Sequence, residues 1–264
     1  DDMFVNLFVQ SFEKPPESIV LDFDATDDPL HGKQEGRFFH GYYGHYCYLP
    51  LYVFCGDHLL VARLRKADID GCAGTVEELE RLVPAIRGWW PDVKILVRGD
   101  SGFCREEIMS WCEENDVDFV LGLARNTRLT SRIRRQLRKA RVRSLSSGKP
   151  ERIYRGLRYK TKKSWSRSRR VVAKAEHLPG RSNPRFVVTS LKKVDVGDAE
   201  LYERVYCARG DMENRIKEQQ LFCFADRTSA HEMRANQIRL YFASVAYTLL
   251  ECVRRIGLRG TELA

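Results

Sequence analysis

Short runs of strand-forming residues alternate with segments of helical apolar spacing along this chain, and that alternation limits what it can fold into. Residues 18–24 read SIVLDFD, a buried strand that runs into a polar, turn-like stretch over 25–36. Residues 37–54 and 58–64, rich in Tyr, Phe, Leu and Val, predict two further strands in a meander. Val76, Leu79, Leu82, Val83 and Ile86 then recur at helical spacing, with Thr75 and Glu78 placed as a capping box. A strand over 93–97 ends at Arg98-Gly99-Asp100, a helix is expected over 105–115, and another strand over 118–123. Past that point the pattern breaks until a helical pattern resumes over 201–220, followed by a long amphipathic helix over 229–256. The order predicts an α/β layer fold with a mixed sheet.

The 264 residues are enough for a sizeable core, and 43% apolar with 31% charged is a globular composition. The longest apolar run, 240–250, is short of the roughly 20 residues that cross a bilayer, so no membrane span is expected. Asp1-Asp2-Met3 carries no export pattern, and a chain that does not open with Met is expected to be an excerpt of a longer protein. The eight cysteines are irregularly spaced and include no Cys-x-x-Cys, which predicts reduced thiols and a cytoplasmic protein. His40, His45 and Cys47 approach a zinc-like grouping, but they lie in a strand-like run where neighbours face opposite sides, and a structural role is expected.

Charge is segregated. Residues 125–170 hold 19 Lys and Arg against one acid, Glu151, a net +18 in a chain whose total is +9, so the remainder is −9. A basic block within an otherwise acidic protein is the footprint of a polyanion site, because phosphates neutralised by Lys and Arg release condensed counterions. Trp165 stands amid Lys162, Lys163, Arg167 and Arg169. An aromatic among cations can stack on a base. The other reading is a small core residue of this basic segment.

Three acids occupy positions that chemistry can use. Asp24 ends the first strand in Asp22-Phe-Asp24-Ala-Thr26, and Asp100 ends a later one in Arg98-Gly-Asp100-Ser-Gly102. Strand ends are where ligands gather in open α/β sheets. Asp22 shares the parity of Asp24. The third acid, Glu213, lies in the series Tyr206, Arg209, Glu213, Lys217, Gln220, whose spacing puts all five on one stripe of a continuous helix. Gly210 inside that pattern weakens a helix by about 1 kcal/mol relative to Ala. Carboxylate oxygens are hard ligands suited to Mg²⁺, and two such ions about 3.5 to 4 Å apart serve both the attacking and the leaving oxygen of a phosphodiester. Tyr, Arg and Lys beside the third acid supply phosphate donors.

The runs Asp22-Phe-Asp24-Ala-Thr-Asp-Asp-Pro-Leu-His31-Gly-Lys-Gln-Glu-Gly36 and Arg98-Gly-Asp100-Ser-Gly-Phe-Cys-Arg105, with Tyr206-x2-Arg209-x3-Glu213, resemble the DDE transposases of bacterial insertion sequences, in the group with a Tyr-Arg-Glu-Lys signature. The resemblance covers about residues 18–256. It implies a ribonuclease-H-like α/β fold, a mixed sheet with helices interrupted by a β-rich basic insertion. The core would occupy 1–124, the insertion 125–199 and a C-terminal helical part with the third acid 200–264. By motif position Asp24, Asp100 and Glu213 match the catalytic, metal-binding acids, with two Mg²⁺ ions as cofactor and Mn²⁺ as a substitute. Tyr206 and Arg209 match residues that handle the transposon-end phosphate. Where the signature has Lys this chain has Gln220, and Lys217 lies one turn earlier on the stripe.

The implied activity is that of a polynucleotidyl transferase and endonuclease of the cut-and-paste type, acting on double-stranded DNA at terminal inverted repeats and at a target. The implied assembly is a homodimer in a synaptic complex, working in the cytoplasm at the nucleoid. The DNA contacts expected are Tyr206, Arg209, Lys217, Gln220, Trp165, Lys162, Lys163 and Arg167. Competing readings are a nucleic-acid-binding protein without catalysis and a structure-selective nuclease of the same fold.

Overall fold

The computed structural model describes residues 2–262 and divides into two compact units, one up to Ile95 together with Gly210 onward, the other Leu96–Arg209. The boundaries differ from the expected division at 124 and 199, because the strands flanking Asp100 belong with the insertion.

The first unit begins with a helix the strand-and-helix alternation did not include. In α1 (Asp2–Gln10) Phe4, Val5, Phe8 and Val9 form a buried face, and Phe8 meets Trp90 edge to face at 5.4 Å. β1 (Ser18–Ala25) follows, with Leu21, Asp22 and Phe23 buried in succession, the pattern of a strand covered on both faces. The expected strand over 37–54 is instead three. β3 (Phe38–His40) and β4 (His45–Tyr48) form a small sheet with β2 (Asp28–Pro29), and β5 (Leu51–Cys55) pairs antiparallel with β1. Gly44, at φ 78°, turns β3 into β4 in a conformation that L side chains rarely adopt. β5 returns as β6 (His58–Arg63) through Gly56 and Asp57. In α2 (Thr75–Trp89) Leu79, Leu82, Val83 and Ile86 are buried as their spacing predicts. No capping box forms: Gly74 holds the N-cap, and the buried Glu78 carboxylate lies 2.6 Å from Arg63 and 3.0 Å from Arg81.

The second unit is built on a mixed sheet. β7 (Lys94–Gly99) runs through a short 3₁₀ turn and α3 (Glu106–Glu114) to β8 (Asp118–Leu123), which lies parallel to it. The insertion, expected to be β-rich, first forms two helices, α4 (Thr127–Arg132) and α5 (Arg134–Ser147). Only then come β9 (Glu151–Tyr159), β10 (Arg169–Leu178), β11 (Arg181–Ser182) and β12 (Arg185–Thr189). β12 pairs with β8, and β10 pairs with β9, β11 and β12, all antiparallel, so the insertion extends the sheet that carries Asp100. After α6 (Asp198–Glu200), Asp198 ties this return to the sheet by accepting from the Gly156 N–H at 2.7 Å and from Arg170 at 2.8 Å.

The chain then re-enters the first unit as α7 (Gly210–Phe222) and α8 (Met233–Cys252). Met212 and Ile216 of α7 join a core with Tyr52, Phe54, Leu240 and Tyr247, which seats α7 against β1 and α8 against β6. No helix among the described residues is long and apolar enough to cross a membrane, and no disulfide links the eight cysteines.

Candidate active site

In the first unit, Asp24 is the penultimate residue of β1, half-buried, and its Oδ1 accepts the Ala25 N–H at 3.0 Å. Asp22, of the same parity, is only 3% exposed. Glu213, in the first turn of α7, is half-buried too. Because α7 packs on β1, the unit brings the helix of the third acid against the strand of the first. Lys217 projects to solvent. Gln220 is engaged within the protein: its amide nitrogen lies 3.3 Å from Asp28 Oδ1 and 3.4 Å from the Asp27 carbonyl.

The loop after β1 is acidic and partly buried. Asp28 is fully buried, and desolvation, aided by the charges of Asp226 and Asp27 and opposed by Gln220, raises its pKa to about 8. Asp27 holds the His45 imidazole at 2.7 Å. His40 rests on Tyr43 at 4.9 Å between ring centroids, and Cys47 is buried, so each of these groups has a packing or hydrogen-bonding role.

In the second unit Asp100 follows β7, and its Oδ1 accepts the Gly102 N–H at 2.7 Å, capping the 3₁₀ turn Ser101–Phe103. Beneath it the buried Arg98 guanidinium donates to the Val205 carbonyl at 2.5 Å. Tyr206 reaches the same turn. A Cβ built on Gly122 would stand 2.6 Å from Tyr206 Oη and 2.7 Å from Ser101 N, so the absence of a side chain at 122 lets the tyrosine and the turn meet. Burial, with the charge of Asp100, raises the Tyr206 pKa, and Arg209 opposes them. A cleft of about 480 Å³ opens here, lined by Ser101, Arg125, Arg181, Arg185, Tyr202 and Tyr206 among others.

The segment that carries Tyr206, Arg209, Glu213, Lys217 and Gln220 is not one continuous α-helix. The backbone is π-helical over Leu201–Tyr206, 3₁₀ over Cys207–Arg209 and α-helical from Gly210. Sequence spacing alone carries no sign of these changes of winding. Tyr206 and Arg209 belong to the second unit, and Glu213, Lys217 and Gln220 to the first.

Trp165 is a correction. It is 4% exposed, packed edge to face on Tyr159 at 5.7 Å and flanked by the Arg169 guanidinium, also at 5.7 Å. Its faces are spent on the protein. Lys162, Lys163 and Arg167 on the same β9–β10 loop are exposed, with Arg167 3.4 Å from Glu113.

Among the described residues no three His, Cys, Asp or Glu side chains are gathered as a metal-holding group. The donor chemistry of the three acids nonetheless fits Mg²⁺ or Mn²⁺. All are carboxylates, without thiolate or imidazole, and Asp24 and Asp100 each have one oxygen oriented by a backbone N–H.

Comparison with known proteins agrees with this fold. The solved structure of a piggyBac transposase synaptic complex with hairpin DNA is similar at a TM-score of 0.55 and 10% identity, over 100% of this chain and 52% of that one. This chain therefore spans about half the length of that protein, and the shared property is the ribonuclease-H-like fold. No curated protein matches the sequence. Residues 1–264 match the family described as transposase DDE domain group 1, and the chain belongs to that family.

Proposed function

We propose that this chain is the catalytic domain of an insertion-sequence transposase that cleaves transposon ends in double-stranded DNA and joins the freed 3′ hydroxyl to a target. The observation that carries the reading is the family match along the whole chain; Asp24, Asp100 and Glu213 are assigned as its three acids by the resemblance of their sequence motifs. In this reading those three carboxylates hold Mg²⁺, with Mn²⁺ as a substitute. When bound, the metal supplies Lewis-acid stabilisation of phosphoryl charge and a more acidic attacking water.

The chain's own groups orient the DNA. Backbone N–H groups hold the Asp24 and Asp100 carboxylates in fixed rotamers. The Tyr206 hydroxyl, its pKa raised, stays protonated at neutral pH and donates to a phosphate oxygen of the transposon end. Arg209 offers a bidentate contact to the same phosphodiester. Exposed Lys217, Lys162, Lys163 and Arg167 neutralise backbone further along. Terminal inverted repeats, a cut-and-paste route and a homodimeric synaptic complex complete the proposal. The bacterial cytoplasm is its setting.

The test is cleavage of a duplex carrying the inverted repeats that flank the coding region, with Mg²⁺ and with EDTA. Products that depend on Mg²⁺ and vanish in Asp100→Asn support the reading. Products that survive EDTA, or survive Asp100→Asn, overturn the metal site. Salt-sensitive binding with no product in any metal would favour the second reading, a DNA binder without catalysis, which the +18 block motivates.

A further inference from the structure

The basic block divides into two populations of cations once folded. On its strands the charges are largely consumed: Arg169 pairs with Glu106 and Glu113, Arg170 with Asp198, and Arg152 with Glu203. On α5 they are not. Arg134, Arg135, Arg138, Lys139, Arg141 and Arg143 are all exposed, and among the described residues none of the six forms an ion pair.

The helix is ordered from its other side. Ile133, Ala140 and Ser144 are buried, and the small size of the last two lets α5 lie close on β9 and β10. Gly148, at φ 67°, closes it by donating its N–H to the Ser144 carbonyl at 2.9 Å. Electrostatics run against the helix. Arg134 faces Arg138 and Arg135 faces Lys139 one turn on, and two arginines sit at the N-terminus, where the backbone dipole is already positive. A partner of opposite charge would remove both penalties.

The cations also have a shape. At about 100° per residue, Arg134, Arg138 and Arg141 form one row and Arg135, Lys139 and Arg143 a second, roughly 140° around the helix. Val142, 59% exposed, lies on the crest between them, while Leu145, 70% exposed, falls within the first row one turn beyond Arg141. Two rows of positive charge flanking an apolar crest match the two phosphate backbones that border a major groove about 12 Å wide, which admits one α-helix. The crest offers no Asn, Gln or Arg to read base edges.

We propose that α5 is a sequence-independent clamp for duplex DNA, seated in the major groove with one cation row on each backbone. It goes beyond the cleavage reading, and its test is a binding measurement in EDTA, so that failure of cleavage and failure of the clamp are separable. Anisotropy of the whole chain on an arbitrary DNA duplex of about 20 base pairs, across a salt series, should show each row variant, R134Q/R138Q/R141Q or R135Q/K139Q/R143Q, lowering the slope of log affinity on log salt by about 2 to 3. The control K14Q/K33Q/K94Q should leave the slope unchanged. An RNA duplex of equal length, whose major groove is too narrow and deep for a helix, should bind more weakly and ignore both row variants. An unchanged slope in the row variants overturns the clamp, as does an equal loss in the control. Loss in only one row, or equal behaviour on RNA, overturns the groove seating. Thermal unfolding no lower than that of the parent chain verifies that these exposed substitutions leave the fold intact.

Discussion

Gln220 Nε2 lies 3.3 Å from Asp28 Oδ1, joining α7, which carries Glu213, to the segment that follows β1, which carries Asp24. The related signature has Lys where this chain has Gln220. The neutral amide suits its neighbour: Asp28 is fully buried, and desolvation, the charges of Asp226 and Asp27, and a single side-chain hydrogen bond leave its pKa at about 8. At neutral pH the folded state therefore keeps a proton there that the unfolded chain releases.

That difference predicts a pH-dependent stability. The contribution of Asp28 is fully present below its ordinary pKa of 3.8 and is lost as pH rises toward about 8. Asp28→Asn retains the oxygen that accepts from Gln220 and removes the ionisation. Its stability relative to the parent should rise from less than about 1 kcal/mol at pH 4 to a gain on the order of 5 kcal/mol at pH 8. Gln220→Lys should bring the carboxyl back toward its usual range and flatten the same slope. Urea unfolding at several pH values measures both, and parallel pH profiles for parent and Asp28→Asn would refute the assignment.

Gly122 makes a second prediction. A Cβ at that position would stand 2.6 Å from Tyr206 Oη and 2.7 Å from Ser101 N, closer than real Cβ atoms come. Gly122→Ala must therefore move the tyrosine or the turn after Asp100. Overpacking of this kind costs about 1 to 3 kcal/mol, a loss readable by thermal unfolding. Strand cleavage should fall further, by about 100-fold, because misplacing reacting groups by roughly 1 Å has that effect. Activity equal to the parent's would separate Tyr206 from the reaction.

Trp165 predicts a stability loss rather than a binding loss. Its indole packs on Tyr159 and Arg169 at 4% exposure, so Trp165→Ala should destabilise the chain by about 3 to 5 kcal/mol. Trp165→Phe should recover most of that and bind a DNA duplex as the parent does. Weaker binding by Trp165→Phe at unchanged stability would restore the indole as a stacking platform.

How much of this was legible in the sequence varied with the physics of each element. The strands around 18–24, 93–97 and 118–123 were readable because central strands are continuous apolar runs, and α2 because its buried residues keep helical spacing. α5 was hidden, since Ala140 and Ser144 are too small to register as an apolar face among so many cations. The changes of winding before Gly210 were not legible, because π and 3₁₀ segments leave no compositional mark. Asp24, Asp100 and Glu213 stood out through motif context. The burial of Asp28 had no local signal, because it depends on residues about 190 positions away.

The network around Arg169 gives the last prediction. Its guanidinium donates four hydrogen bonds of 2.7 to 3.1 Å, two to Glu106 and two to Glu113, from a side chain 2% exposed. Burial alone would raise the Glu106 pKa, but hydrogen bonds from Arg169, Ser166 and Ser110 outweigh it and hold the value at about 2. Stability from this carboxylate is present above its usual 4.5 and lost as pH falls toward about 2. Arg169→Gln leaves two carboxylates facing each other without their cation. It should cost about 3 to 5 kcal/mol at pH 7, the range for breaking a buried pair. The gap between parent and variant should narrow between pH 4.5 and 2, as the carboxylates take up protons in both. Denaturant unfolding over that range tests the claim, and a gap that stays constant with pH would show that Arg169 acts through packing, its charge contributing nothing.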